Sequence, residues 1–493
     1  MRTRKEETKN CLQWARGPFG EKRMSEEIAN FALDYAQRKS GVAYAEVKSE
    51  KDFGNAVVVK NAMIDALAYS EDEGLCVRIL TKEGIGFAST NTLDKEEVKN
   101  AIDKAHKTAR SSKRKTPITF VEEKSVEEKW TVEQKEKLAD VSVEQRVESI
   151  LEIDNHLMSL DVKIPGRIMQ LSDGVSEKYF CNSEGSRISS VLPRMFCVIY
   201  ITVSENGQSE MSYRDYGYTG GWEGLKQMRI DDTMGHDAKV LDKAIKEGKK
   251  LQEGKMDLIC GPQVTGIAAH ESCGHPMEAD RINGREMSQA GRSFVTKELL
   301  GQRIGSDVVT IIDDPTIPNS SGFYLYDEEG VKARPRYLYK NGIINEFLHN
   351  RESAAIMGTR SNAASRSTGY DREPIVRMAN TYLAPGDHTD EELLEDIKKG
   401  VWMESFNEWN IDDTRFNQKY VGREAYVVEN GELGHPIKAC VIETTTRNFW
   451  SAVDAVSKRL EFASATCGKG DPEQGVPVFT GGGTARLRGV YLK

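Results

Sequence analysis

The sequence predicts an α+β protein in which an N-terminal α/β domain is followed by a β-rich C-terminal domain. Three observations predict this class. Helical patterns alternate with β-branched runs in the first third of the chain. From about Ile164 onward strand-like runs dominate, and three Asn-Gly pairs separate such runs, which indicates hairpins. A chain of 493 residues is long enough for at least two domains that each bury a core.

The N-terminal domain is expected over residues 24–160. A first amphipathic helix, from residue 24 to about 41, is predicted by apolar residues at helical spacing, namely Ile28, Phe31, Ala32 and Tyr35. Three strand-like runs follow, at residues 43–47, 56–59 and 75–80. Asp94 and Glu97 then predict the capped start of a second helix. Residues 1–23 are highly charged, and we expect them to be a disordered extension.

After the N-terminal elements, the predicted structure changes from a charged connection and one helix to a β-rich region. Residues 107–140 are rich in Lys and Glu and predict an exposed connection, after which Ser142 and Gln145 predict a capped helix. The β-rich domain is expected over residues 161–493. Its hairpin signals are Asn206-Gly207, Asn341-Gly342 and Asn430-Gly431. One further helix is predicted from Thr389 to Lys399, with Gly400 after its end.

Composition excludes several functional classes. The net charge of −9 comes from 68 basic and 77 acidic side chains, and an acidic surface repels phosphate, so direct nucleic-acid binding is not expected. No apolar run of about 18 residues is present, and the first 23 residues lack the apolar segment of a signal peptide. We therefore expect a cytoplasmic protein without membrane contact. The eight cysteines include no Cys-x-x-Cys pair, which disfavours a disulfide framework.

The stretch Ile267–Arg281, IAAHESCGHPMEADR, contains His270, Glu271 and His275 in an H-E-x-x-x-H arrangement. Two imidazoles and a carboxylate this close together indicate a zinc site with the glutamate beside the metal. On an ideal helix the two histidines would point roughly 140° apart. Because Pro276 disfavours a helical His275, the helix should end at or before that residue. A single π-type turn would also bring the rings together.

The motif alone leaves alternatives open. Two histidines at a buried helix end can equally be hydrogen-bonded core residues. Cys273 lies about one helical turn after His270 and is a competing ligand, although packing in the core is the favoured role. Either Glu278 or Asp280 could hold a histidine in one tautomer or cap the chain after Pro276. We slightly favour Asp280 for the tautomer role.

Longer stretches of the chain resemble a known family. The segment HESCGHPMEAD resembles the signature of the TldD/PmbA family, proteins described as modulators of DNA gyrase and viewed as metalloproteases. Near the C-terminus, Thr466-Cys467-Gly468-Lys469 resembles the cysteine motif of that family. Between them, FYLYDEEGVKARPRYLYKNGIINEFL and RMANTYLAPGD also resemble family segments. The family includes metal-binding subunits and paralogues without the histidines, and this chain resembles the metal-binding type.

The resemblance implies a zinc metallopeptidase that hydrolyses peptide bonds in unstructured peptides, with residues 161–493 as the catalytic domain. His270, His275 and Cys467 would bind Zn²⁺. Glu271 would take a proton from water and pass it to the leaving amine. The resemblance also implies a homodimer, or a heterodimer with a metal-free paralogous subunit. Because the C-terminal half is β-rich, we expect the substrate to be captured as an added strand.

Two alternatives remain open at this point. One is an aminopeptidase or amidase that uses the same metal site. The other is a non-catalytic, zinc-containing modulator of a partner protein such as gyrase. The sequence contains neither G-x-x-x-x-G-K-[ST] nor G-x-S-x-G, which disfavours an ATP-driven protease and a serine hydrolase. The acidic surface and the non-ligand Glu271 favour the enzyme.

Overall fold

The computed structural model describes residues 22–112, 116–285 and 292–493. Most of the predicted extension at residues 1–23 therefore lies outside the described residues. The chain is α+β, which confirms the predicted class. In the described ranges, no helix has the length and apolar character needed to cross a membrane.

The first half of the chain forms an antiparallel sheet with helices on one face. Its elements are α1 Lys22–Gln37, β1 Val42–Lys60, β2 Met63–Thr81, β3 Gly84–Thr90, α2 Lys95–Ser111, β4 Glu127–Thr131, α3 Val143–Met158, β5 Gly166–Asn182, β6 Arg187–Glu205, β7 Gln208–Thr219, α4 Gly224–Gln227 and α5 Ile230–Glu247. The main strand order is β3-β2-β1-β5-β6-β7. One core forms under α1 and α2, and a second forms under α3 and α5.

The second half surrounds a short buried helix with strands. Its elements are β8 Lys249–Lys250, β9 Gly254–Cys260, α6 Pro262–Ala269, α7 Ala279–Ile282, β10 Ile311–Asp313, β11 Arg336–Lys340, β12 Ile343–Ile344, α8 Arg351–Met357, β13 Ser365–Arg366, β14 Ile375–Val376, β15 Asn380–Leu383, α9 Asp390–Glu395, β16 Lys399–Ile411, β17 Asn417–Glu429, β18 Glu432–Lys438, β19 Val441–Thr445, α10 Thr446–Ala452, β20 Val453–Lys469 and β21 Gln474–Leu492. The largest core of the described chain surrounds α6.

Pairing joins the two halves. β21 pairs with β20 along most of its length, and it also pairs with β9 and β15. β20 in turn reaches β7 through one bridge, between Ser464 and Asp215. β1 and β5 pair across the boundary that we placed between residues 160 and 161. That boundary stays a prediction.

Several local predictions are confirmed. The Asp94 side chain caps α2, and reciprocal capping boxes begin α3 at Ser142 and α9 at Thr389. The three Asn-Gly pairs form the turns of the hairpins β6–β7, β11–β12 and β17–β18. All six of these turn residues have positive φ angles, as such tight turns require.

Two element predictions are wrong. The runs at 43–47 and 56–59 belong to one strand, β1, because the polar residues between them are buried in ion pairs rather than in a loop. The helix predicted to continue to Lys399 ends at Glu395, and Gly400 lies in β16, where it pairs with Asp257 of β9. Tertiary strand pairing therefore overrides the local helix-end signal.

Candidate metal centre

The helix α6 is held directly against β21. It begins at Pro262, with Gly261 at the N-cap position. Gly266 faces β21 so closely that a Cβ atom there would lie 2.6 Å from the backbone nitrogen of Gly481. The Thr265 hydroxyl also donates a hydrogen bond to the carbonyl of Gly483 at 3.0 Å. Because β21 pairs with β20, these contacts fix the end of α6 beside the C-terminal half of β20.

The end of α6 widens into one π-helical turn, His270–Gly274, and the predicted π-type turn is thereby confirmed. The ring centroids of His270 and His275 lie 5.0 Å apart. The expectation of a non-helical His275 is wrong, because this residue has φ −57° and ψ −44°. Pro276 is accommodated in a short 3₁₀ turn that follows directly. The widened turn, and not a break in the helix, brings the two rings together.

Three side chains converge at this point. A nitrogen of His270, a nitrogen of His275 and the sulfur of Cys467 all lie within 4.8 Å of one another, and all three residues are buried. The Cys467 Sγ is 3.5 Å from the His275 Nε2. The Nδ1 of His270 is buried without a hydrogen-bond partner. Two imidazoles and a thiol form a donor set of the kind that zinc prefers, so the residues fit this metal.

The electrostatics of the cluster favour a thiolate. Burial alone would raise the pKa of Cys467, but His275, Arg377 and His270 outweigh burial and hold that pKa well below its ordinary value. Conversely, burial would lower the pKa of His270, but Cys467 outweighs it and raises that pKa. Arg377 is fixed beside the cluster, since it donates to the carbonyls of Gln474 and Cys467. The thiolate is the form of cysteine that binds metals.

A buried carboxylate orients His275. The Nδ1 of His275 lies 3.0 Å from the Oε2 of Glu278, which also accepts a hydrogen bond from Arg281 at 2.8 Å. Asp280 instead accepts two hydrogen bonds from Lys469 at 2.8 Å. The preference for Asp280 is therefore wrong, and Glu278 contacts the ring. The short turn after His275 explains this, because it directs Glu278 back toward the imidazole.

Glu271 lies beside the cluster and forms an ion pair that no local sequence pattern predicts. Its Oε2 accepts a hydrogen bond from the Nη1 of Arg415 at 2.7 Å. Arg415 lies in the turn between β16 and β17 with a left-handed backbone, φ 66°. The hydroxyl of Thr446 donates to the Arg415 carbonyl at 3.0 Å and helps to hold this conformation. The ion pair joins residues that are 144 positions apart, beyond the reach of any local pattern.

The cluster opens into a cavity of about 990 Å³ whose walls include His270, Glu271, His275 and Cys467. Consecutive residues of two strands also line it, from 213 to 218 in β7 and from 462 to 468 in β20. Side chains alternate between the two faces of a strand, so consecutive lining residues mean that strand edges face the cavity. The two edges meet only at the bridge between Ser464 and Asp215.

Comparison with known proteins assigns this architecture to a family. Models of the PmbA/TldA metallopeptidases match three regions, which correspond to domain 1 at residues 45–109, the central domain at residues 136–248 and the C-terminal domain at residues 253–491. The chain belongs to the PmbA/TldD metallopeptidase family. The matched regions together include every residue of the cluster and most of the described chain.

Relatives within the PmbA/TldD family match nearly the full chain. A metalloprotease of Methanocaldococcus jannaschii is 33% identical over 90% of this chain and 95% of its own length. A zinc metalloprotease TldD homologue of Saccharolobus solfataricus is 26% identical over 90% of this chain and 94% of its own length. The structure of TldE from Thermococcus kodakarensis has the same fold, with a TM-score of 0.75, 17% identity, and coverage of 95% of this chain and 99% of that one.

Cys273, the competing ligand, lies away from the cluster of this PmbA/TldD chain. It is fully buried in the core around α6, and burial raises the pKa of its thiol well above the ordinary value. Within the described ranges, His270, His275 and Cys467 form the one group of His, Cys, Asp or Glu side chains with metal-binding geometry. This position agrees with the packing role favoured from the sequence.

Proposed function

We propose that this chain is a zinc-dependent metallopeptidase that hydrolyses peptide bonds in unstructured peptides. The observation that carries the proposal is the convergence of His270, His275 and Cys467 in the wall of an open cavity. Glu271 lines the same cavity without belonging to the group. All four residues fall within residues 161–493, which we propose as the catalytic domain.

In this proposal His270, His275 and Cys467 hold the metal. When bound, zinc supplies Lewis acidity that activates water and polarises the peptide carbonyl. The chain supplies the orientation of the donors. Glu278 accepts a hydrogen bond from the Nδ1–H of His275 and leaves the Nε2 lone pair of that ring to bind the metal on the side of Cys467. The depressed pKa of Cys467 keeps its sulfur in the binding form.

Glu271 is the proposed general base. It takes a proton from the attacking water and delivers it to the leaving amine, which is the usual role of a carboxylate beside a catalytic metal. Arg415 binds one carboxylate oxygen, Oε2, and so leaves Oε1 available to the reactants. The buried guanidinium limits the rotation of Glu271 and is a positioning group in this proposal.

The strand edges of the cavity support capture of an extended peptide. Beyond the bridge between Asp215 and Ser464, the edges of β7 and β20 diverge and line the cavity. A substrate strand along β20 would pair with its backbone and pass Cys467. Such pairing uses main-chain groups and tolerates many sequences, but it requires a peptide that is not already folded.

A second subunit is part of the proposal. One solved structure with the same fold is named TldE, and a relative of this chain is named a TldD homologue. We propose that this chain works as a dimer, either with a metal-free paralogue or with a second copy of itself. Mixing the chain with a purified paralogue and measuring the mass of the assembly distinguishes the two.

The decisive experiment measures metal content and peptide hydrolysis together. We expect about one zinc per chain in the wild type, and its loss in Cys467→Ala because a ligand is removed. Cys440→Ala is the matched control, since Cys440 is buried outside the cluster and its loss should leave zinc in place. Glu271→Gln should keep zinc and lose roughly 10²- to 10⁴-fold in kcat.

Two other outcomes would contradict the proposal. If the wild-type chain contains no zinc and cannot be reconstituted with it, the proposed ligand set is wrong. If Glu271→Gln keeps full hydrolytic activity, the proposed general base is wrong.

A further inference from the structure

Near the cavity, one face of the sheet of the first half is not covered by any helix of the described residues. Across four strands, Lys60, Ile168, Tyr200 and Tyr213 are direct partners and therefore share this face. Ile168, Tyr200 and Tyr213 are 44%, 41% and 45% exposed. The neighbouring residues in β5 and β6, such as Met169, point to the opposite face and are buried under α3 and α5. The open face thus presents apolar and aromatic groups at the edge of the cavity.

Two tyrosines and a carboxylate share this face where it borders the cavity. The rings of Tyr200 and Tyr213 stack with centroids 5.6 Å apart and an interplanar angle of 20°. Asp215 follows Tyr213 by two positions in β7 and so shares its face. Tyr213 and Asp215 both line the cavity.

Asp215 has no counter-charge. Within the ranges 22–112, 116–285 and 292–493, no side chain forms a hydrogen bond or an ion pair with its carboxylate. Arg214 and Arg423, which also line the cavity, are both paired with Asp237, at 2.6 and 3.2 Å. Partial burial raises the pKa of Asp215 to about 6, which reflects the loss of solvent without a compensating cation.

We propose that Asp215, Tyr213 and Tyr200 form a subsite that binds a positively charged group of the peptide substrate. A cation beside Asp215 would compensate its desolvation, and aromatic rings attract cations at their faces. The group is either a lysine or arginine side chain or the N-terminal ammonium of the peptide. This inference rests on the proposed peptidase function, since it names a substrate feature for the same cavity.

The position of the subsite sets its distance from the reaction. Asp215 lies opposite Ser464, and Cys467 follows Ser464 by three residues on β20. Three residues of extended strand span about 10 Å. A peptide that runs along β20 would therefore place its cation about three residues from the scissile bond. If the cation is the N-terminal ammonium, the enzyme releases short N-terminal fragments.

The test compares matched peptides. Three short peptides of alanine and serine are acetylated and amidated, and they carry Lys, Gln or Glu at one position. A fourth peptide has the sequence of the Gln peptide but a free N-terminus. For each, kcat/KM is measured with zinc-loaded wild type, Asp215→Asn and Asp215→Lys. Glu210→Gln is the control, because it removes one charge from the same strand outside the cavity lining. Binding of fluorescently labelled copies to Glu271→Gln, with and without Asp215→Asn, is measured by anisotropy.

We expect the wild type and Glu210→Gln to prefer the Lys peptide, or the free N-terminus, over the blocked Gln peptide by about tenfold. Asp215→Asn should bring that ratio close to one, and Asp215→Lys should favour the Glu peptide. Preference for Lys identifies a side-chain subsite, and preference for the free N-terminus identifies an ammonium subsite.

Two results would overturn the inference. One is a wild type with equal kcat/KM and equal binding for all four peptides, and the other is an Asp215→Asn variant that retains the wild-type ratio. Failure of the peptidase proposal is distinguishable. In that case no peptide is cleaved, while anisotropy still reports whether cationic peptides bind in a manner that depends on Asp215.

Discussion

Two buried polar clusters of this chain differ in how their charges are matched. Between β1, β5 and the 327–329 loop, Lys48 contacts Glu328 at 2.7 Å and Glu50 at 3.2 Å. Lys178 contacts the same two carboxylates, each at 2.9 Å. Each cation thus meets both anions, and the charges balance within the chain. We call these four residues the ion-pair cluster.

The cluster of His270, His275 and Cys467 is not balanced in this way. It brings three donor atoms within 4.8 Å of one another, and the Nδ1 of His270 has no hydrogen-bond partner. In the ion-pair cluster the Oε2 of Glu50 also lacks a hydrogen bond, but it lies 3.2 Å from the Lys48 ammonium. Buried polar groups without partners cost free energy, so such convergence is expected where an external cation completes the site. Burial alone therefore does not mark a functional site. The metal centre is marked by converging donor atoms that the chain itself leaves incomplete.

The largest effect is expected on folding stability when the ion-pair cluster is broken. Replacement of Glu328 by Gln leaves Lys48 and Lys178 to share Glu50, and we expect the free energy of unfolding to fall by about 3 kcal/mol. Zinc content of the folded protein should not change. Glu408→Gln is the control, because its ion pair with Lys419 is exposed and should contribute less than about 1 kcal/mol. Chemical denaturation at neutral pH measures both, and equal effects would contradict the structural role.

The loss of stability in Glu328→Gln should also depend on pH. Burial would raise the pKa of Glu328, but Lys178 and Lys48 outweigh it and lower that pKa from 4.5 to about 2. A carboxylate whose pKa is depressed on folding contributes its full stability above its unfolded pKa and loses it as pH falls toward the folded value. The difference in stability between wild type and Glu328→Gln should therefore be largest above about pH 4.5 and should shrink toward pH 2. A difference that stays constant over this window would exclude the electrostatic explanation.

A smaller effect is expected at the carboxylate that orients His275. Glu278→Gln should weaken zinc binding by about 10- to 100-fold, the usual range for a group that fixes a ligand ring. Asp280→Asn is the comparison, since Asp280 accepts hydrogen bonds from Lys469, whereas Glu278 lies at the Nδ1 of His275. Competition with a chelating dye measures both affinities. Equal losses of zinc affinity in the two variants would show that Glu278 and Asp280 act only through general packing.

Much of the local structure could be predicted because short-range chemistry determines it. The caps at Asp94 and Ser142, the Asn-Gly turns and the π turn after α6 all follow from residues within a few positions of each other. The polar middle of β1 could not be predicted as strand, because the groups that bury its charges include Lys178, 128 positions from Glu50, and Glu328, 280 positions from Lys48. Periodicity describes which face a residue occupies, but it does not identify a distant partner.

The residues of the candidate site also fall into those that local sequence patterns predict and those that only the fold brings together. The positions of His270 and His275 were predictable from spacing, and Cys467 was nominated by resemblance alone. The sequence leaves the tautomer role open between Glu278 and Asp280 and slightly favours Asp280, whereas Glu278 contacts the ring, because the outcome depends on the direction of a single turn. Arg415 gave no signal, since a left-handed arginine in a hairpin turn has no distinctive local pattern. Such contacts become visible only when the fold brings the strands together.

The smallest expected effect tests that unforeseen contact. Arg415→Gln should lower kcat by about tenfold, because one charge-assisted hydrogen bond to Glu271 is lost. KM and zinc content should change little, since Arg415 contacts neither the cluster nor, in our proposal, the substrate. Arg415→Lys keeps the charge with a different geometry and should recover part of the activity, and added guanidinium should partly restore Arg415→Gly. Loss of zinc in these variants, or a change confined to KM, would show that Arg415 supports the cavity wall and does not position the base.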